Sequence, residues 1–164
     1  MPIRSRLTVR TVKRFSVLSA LAMVAACNLD TAGPTGVSSD PATETFASSL
    51  GIDIATMTKT TDGDYYKDLK VGTGPALTGV PTIGFTYRGF LKDGTVFDPG
   101  GAVQPLSLGG LIFGFQEGVQ GMQVGGERII VIPSALGYGS SPPSSSIIPP
   151  NATLIFDVIL TEID

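Results

Sequence analysis

Hydrophobic and polar positions alternate most cleanly over residues 82–91 (TIGFTYRGFL), with Ile83, Phe85, Tyr87 and Leu91 on one side and Thr82, Thr86 and Arg88 mostly on the other. A two-residue period predicts a half-buried antiparallel strand. Lys92-Asp93-Gly94 then turns the chain into residues 95–98, and a D-G pair between β-like runs signals a hairpin. Asp62-Gly63 repeats that signal between residues 54–60 and 65–71. Residues 127–132 (ERIIVI) and 153–163 (TLIFDVILTEI) are further strands, and the second is apolar on both faces at its centre, which predicts a central place in its sheet. Leu111, Ile112, Phe115, Val119 and Met122 carry the helical period, enough for two or three turns. One short helix against an antiparallel sheet of about five strands is an α+β fold, and neither an internal repeat nor a second domain is visible. The polar loop over residues 139–150 (GSSPPSSSIIPP) ends in Ile147 and Ile148, which are expected to cover something apolar.

Composition narrows the chemistry. The 164 residues include 21 Gly and 12 Pro, one Cys, and neither His nor Trp. Nucleophilic triads built on His, zinc sites built from His and Cys, and disulfide frameworks are thereby excluded. At 42% hydrophobic and 15% charged, the chain is too apolar for a disordered one. The net charge of −3 hides an asymmetry: five of the 11 bases (Arg4, Arg6, Arg10, Lys13, Arg14) lie in the first 14 residues, which hold no acid. After Cys27, six bases face all 14 acids, a net −8 that argues against nucleic-acid binding.

The N-terminal pattern reads as an address. A basic stretch is followed by twelve apolar or small residues, 15–26 (FSVLSALAMVAA), and then Cys27. Such a run is too short to cross a hydrocarbon core of roughly 30 Å and matches a signal peptide over residues 1–26. Val24-Ala25-Ala26-Cys27 resembles a bacterial lipobox, in which Cys27 is lipidated; an ordinary secretory signal with a chance cysteine is the alternative. Residues 27–45, rich in Gly, Pro, Ser, Thr and Asp, are expected to be a flexible tether, and 46–164 the folded domain.

Five segments, in order, make the rest familiar: Phe85-Thr86-Tyr87-Arg88-Gly89; Asp93-Gly94-Thr95-Val96-Phe97-Asp98; residues 112–119 (IFGFQEGV); Tyr138-Gly139 after Gly137; and residues 147–158 (IIPPNATLIFDV). With these, the chain resembles an FKBP-type peptidyl-prolyl cis-trans isomerase from about Tyr65 onward. The resemblance implies a strongly bent sheet wrapped round one short helix, with an apolar pocket between them. It implies a catalytic set of Tyr87, Phe97, Asp98, Ile112, Phe115, Tyr138 and Phe156, with Leu106, Leu111 and Ile147 as further substrate contacts. In the family the aromatics take the prolyl ring, while the N–H at Ile112 and the hydroxyl at Tyr138 bond substrate carbonyls. Neither cofactor nor metal is implied. Two positions depart from the family's habit: Phe115 stands where Trp is common, and Leu106 where Phe is common.

On residue chemistry alone, Phe97, Phe115 and Phe156 could equally be core, and Asp98 could serve only its turn. Three functions follow: an isomerase acting on proline-containing exported polypeptides from a lipid-anchored position, periplasm-facing or in the outer membrane of a bacterium; a proline-peptide binding module with little turnover; or a general chaperone. The short 139–148 loop and the absence of a helical period before residue 46 argue against the chaperone and for a monomer.

Overall fold

The computed structural model describes residues 39–164. Residues 1–38, which carry the signal-peptide expectation, the lipidation expectation at Cys27 and most of the expected tether, lie outside the described residues. The elements are β1 (Thr58–Lys59), β2 (Tyr65–Lys70), β3 (Thr82–Leu91), β4 (Val96–Ser107), α1 (Phe113–Gly118), β5 (Glu127–Ile132) and β6 (Leu154–Ile163). All pairings are antiparallel, in the order β1-β2-β5-β6-β3-β4. The fold is α+β, as the pattern of elements predicts.

β6 is central, between β5 and β3, and its residues explain why. Leu154, Phe156, Val158 and Leu160 point to the main core, and Ile155 to a second cluster on the other face with Tyr65 and Val131. A strand covered on both sides is apolar on both sides. The second face is covered near Ile155 by Phe46, Leu50, Ile52, Ile54 and Met57.

The structure differs from the sequence reading in three places. The described residues form six strands, one for each β-like run of the sequence, but β4 extends beyond residue 98 through Pro99-Gly100-Gly101 to Ser107 with register shifts against β3. Turn residues hid that extension; pairing with β3 holds it. The helix is one and a half turns: after Gly118, Val119 caps it and Met122 is buried in the following turn. Residues 39–45 belong to the domain and not to a tether. Pro41 is buried, Tyr65 donates its hydroxyl to Asp40 Oδ1 at 3.0 Å, and Thr153 donates to Glu44 Oε1 at 2.6 Å. Glu44 also pairs with Lys92 at 3.2 Å. These long-range polar pairs leave no local period to read.

α1 lies closely against β5 because two glycines, four residues apart, share one helix face. A Cβ on Gly118 would collide with the Ile130 side chain, and one on Gly114 with that of Ile132. Arg128 fastens the far end. It is 4% exposed, holds Asp68 through Nε (2.7 Å) and Nη2 (3.1 Å), and donates from Nη1 to the carbonyls of Gly118 (2.9 Å) and Gln120 (2.8 Å). Its guanidinium also covers the Tyr66 ring at 4.1 Å.

One side chain therefore joins β2, β5 and the C-terminal end of α1. Arg128→Ala is expected to lower unfolding free energy in urea by about 2–3 kcal/mol, since two carbonyls and the partly exposed Asp68 carboxylate lose their partner. Arg128→Lys should recover little of it, because a single ammonium cannot reproduce the fork.

Candidate active site

Between the concave sheet face and α1 lies a cavity of about 300 Å³. The period-two spacing of β3 sends Phe85 and Tyr87 into it together, and β6 sends Phe156. Phe97 and Asp98 come from the start of β4, Val103 and Leu106 from its far half, and Phe115 from α1.

Phe156 is the hub of the aromatic wall. Phe97 and Phe115 meet it edge-on, with ring centroids at 5.5 and 5.4 Å and interplanar angles of 87° and 89°. Tyr87 lies 6.2 Å from the same ring, and Phe85 stands 5.2 Å from Phe115 and 5.7 Å from Tyr87. Edge-to-face contacts fix ring orientation and add about 0.5–1.5 kcal/mol per pair beyond burial. The ring orientations of the walls are thus set by the walls' own mutual contacts.

One edge is polar. The Tyr87 hydroxyl donates to Asp98 Oδ2 at 2.6 Å, and the Gly100 N–H donates to Asp98 Oδ1 at 2.9 Å. Burial, then the hydrogen bond to Asp98 and its charge, push the Tyr87 phenol up to about 12. Tyr87 is a neutral donor across the physiological range, and both Asp98 oxygens already accept. The geometry suits Asp98 for orienting groups at the pocket edge. Among the described residues no group of three or more His, Cys, Asp or Glu is placed to hold a metal ion.

The rim is set where the chain enters α1. Ile112 is the N-cap, extended at φ −59° and ψ 147°, and its carbonyl accepts from the N–H groups of Phe115 (3.0 Å) and Gln116 (3.2 Å). Gln116 folds back and donates from Nε2 to the Leu111 carbonyl at 2.8 Å, which holds Leu111 and Ile112 at the cavity. Tyr138 closes the opposite side.

Of the residues expected from sequence, Tyr87, Phe97, Asp98, Leu106, Leu111, Ile112, Phe115, Tyr138 and Phe156 line this one cavity. Ile147 does not: it is 60% exposed, while Ile148 is buried in the core at 7%. Consecutive residues of an extended loop point to opposite sides, and here Ile148 takes the apolar one. Phe85, Val103 and Gly110, which the resemblance does not name as site residues, also line the cavity. Phe85 shares its strand face with Tyr87, a signal that was available; Val103 sits in the part of β4 disguised by turn residues.

Replacing Tyr87 by Phe keeps the ring and removes one hydrogen bond. We expect a stability loss below about 1.5 kcal/mol. In an ultraviolet difference titration, the phenolate that forms only near pH 12 should vanish in this variant.

The comparisons agree with this geometry. The family model for FKBP-type peptidyl-prolyl cis-trans isomerase matches residues 77–161. The chain is 46% identical over 109 residues to FK506-binding protein 4 of Neurospora crassa, covering 64% of this chain and 23% of that relative. It is 41% identical over 135 residues to FK506-binding protein 4 of Aspergillus fumigatus, covering 80% and 26%. The chain thus spans about a quarter of the length of these curated relatives. Among solved structures it is similar to a peptidyl-prolyl cis-trans isomerase of Pseudomonas syringae pv. tomato, with a TM-score of 0.59, 30% identity, and coverage of 66% of this chain and 80% of that one. It is likewise similar to FkpA of Escherichia coli, with a TM-score of 0.58, 33% identity, and coverage of 71% and 55%. With an aromatic cavity between an antiparallel sheet and a short helix, and a family match over residues 77–161, the chain belongs to the FKBP-type peptidyl-prolyl cis-trans isomerase family.

Proposed function

We propose that this domain catalyses rotation about X-Pro amide bonds, and that the observation carrying this reading is the aromatic cavity centred on Phe156, with polar groups at its edge where Tyr87 meets Asp98 and at Tyr138. The uncatalysed barrier is of the order of 18–20 kcal/mol because planarity preserves amide resonance. The twisted amide has lost that resonance, so its carbonyl oxygen is less negative and its desolvation costs less. A dry pocket around the prolyl ring disfavours the planar, more polar amide relative to the twisted one. No bond is made or broken, so the absence of histidine is no handicap.

In this reading Phe97, Phe115 and Phe156 receive the ring. The Ile112 N–H and the Tyr138 hydroxyl hold the flanking carbonyls, Leu106 and Leu111 complete the apolar walls, and Asp98 orients polar groups at the edge without taking a proton. The substrates are proline-containing polypeptides. The basic leader, the apolar run and the Cys27 box support an exported, lipid-anchored, periplasm-facing protein of the bacterial lipoprotein type, acting as a monomer on other exported chains. An acylated N-terminal Cys27 in the membrane fraction, read by mass spectrometry, tests the anchor; an unmodified product starting elsewhere overturns it.

A second reading, a binding module with little turnover, is favoured by Phe115 and Leu106, which are smaller than the family's usual Trp and Phe. A protease-coupled assay on a proline peptide separates the two. The isomerase reading predicts acceleration that drops by roughly tenfold or more, about 1.4 kcal/mol of lost transition-state stabilisation, in Phe156→Ala and Tyr138→Phe. Peptide binding without acceleration would leave the module.

A further inference from the structure

Directly behind the pocket floor sits a carboxyl that the reaction does not use. Asp64 ends the Asp62-Gly63 turn, and its backbone is tied there. The Thr60 hydroxyl oxygen accepts from the Gly63 and Asp64 N–H groups at 3.2 and 3.1 Å, and the Thr60 N–H donates to the Asp64 carbonyl at 2.8 Å. The turn fixes the direction of the side chain, which is 0% exposed, and neither of its carboxyl oxygens has a hydrogen-bond partner. A buried carboxylate in that condition is costly, and burial favours the protonated form.

Asp64 lies where α1 meets the end of β5. A Cβ on Gly114 would lie 2.9 Å from Asp64 Oδ1, and the same point touches the side chains of Ile132 and Leu136. Asp64 therefore occupies an apolar enclosure against the residue that precedes Phe115. The titratable groups acting on it are Glu117, from α1, and Asp62, from the turn, both acids; Ile132 and Leu136 are apolar. Burial first, then Glu117 and Asp62, push the Asp64 carboxyl up to about 7.

We propose that Asp64 is a positioning residue for the pocket floor: protonated, it packs beneath Gly114 and seats α1; ionised, it forces that turn away from β2 and loosens Phe115 and Ile112. The proposal rests on the isomerase reading for its effect on turnover, but not for its effect on peptide affinity or stability. The sign follows from linkage. The folded carboxyl binds its proton more tightly than the unfolded one, so its contribution to stability is greatest at low pH. That contribution is lost as pH rises from the ordinary value of 3.8 to about 7 and is level above. The chain has no histidine, so among the described residues no side chain ordinarily titrates between the carboxylate range and the alkaline range of Tyr and Lys. A second acid raised by burial, Asp157, is affected by Glu127 and Arg88 and faces away from α1, beside Ile159.

The test combines carbon-13 titration of the Asp64 carboxyl with peptide affinity and kcat/KM from about pH 5 to 9. It uses the parent chain, Asp64→Asn, Asp64→Leu, Glu117→Gln and Asp157→Asn. We expect Asp64 to titrate near neutrality and affinity to fall with the same midpoint, by roughly tenfold if ionisation and binding are coupled by one pH unit. Both Asp64 variants should give flat profiles at the acid-limb value, Leu standing in should Asn fail to fold. Glu117→Gln should move the midpoint acidward, and Asp157→Asn should leave it in place. An Asp64 that titrates in the ordinary carboxylate range, or an Asp64→Asn protein that keeps the parent profile, overturns the proposal. A chain that binds peptide without turning it over still reports the affinity profile, so failure of the isomerase reading is seen separately.

Discussion

The close approach of α1 to β5 is the constraint on which the site depends. Gly114 and Gly118 face Ile130 and Ile132 with no room for a β-carbon, so the helix rests on the sheet through backbone. A larger residue at either position would lift α1 by the thickness of a side chain. Phe115, carried on that same short helix, would then lose its edge-on contact with Phe156, 5.4 Å away. Close packing in a helix of six residues is what turns a gap between layers into a cavity with fixed walls.

Other features read as supports for that contact. Arg128 anchors the C-terminal carbonyls of α1 to Asp68 and Tyr66, and Gln116 ties the N-terminal entry at Leu111. On the opposite sheet face, residues 46–57 cover Tyr65, Val131 and Ile155, so the central strand behind Phe156 is buried on both sides. The glutamate at position 44, joined to Thr153 and Lys92, fastens this covering segment to the start of β6. Rigidity at the pocket is thus assembled from both faces of the sheet.

Much of this was legible in the chain. The alternation of residues 82–91 and the apolar run of 154–163 gave β3 and β6 and the central place of the latter, because burial on one or both faces writes itself into residue order. The aromatic wall was legible through ordered motifs rather than through periodicity, since Phe97, Phe115 and Phe156 each look like ordinary core. What escaped has a common cause. The far half of β4, the packing of residues 39–45 and the buried Asp64 depend on partners 14 or more residues away, through pairing, ion pairs or enclosure, and such contacts leave no local period. Ile147 escaped for a different reason: in an irregular loop the choice of which of two adjacent isoleucines turns inward is made by the three-dimensional path.

The central claim is that the cavity between α1 and the sheet takes the prolyl ring and lowers the barrier to amide rotation. Two-dimensional exchange NMR of a proline peptide with a small fraction of the domain tests it most directly. The account predicts exchange cross-peaks between cis and trans forms that are absent without protein, with ring-current shifts of the prolyl protons and perturbed resonances of Phe97, Phe115 and Phe156. Exchange unchanged by the protein, or perturbations confined to the face covered by residues 46–57, would contradict it.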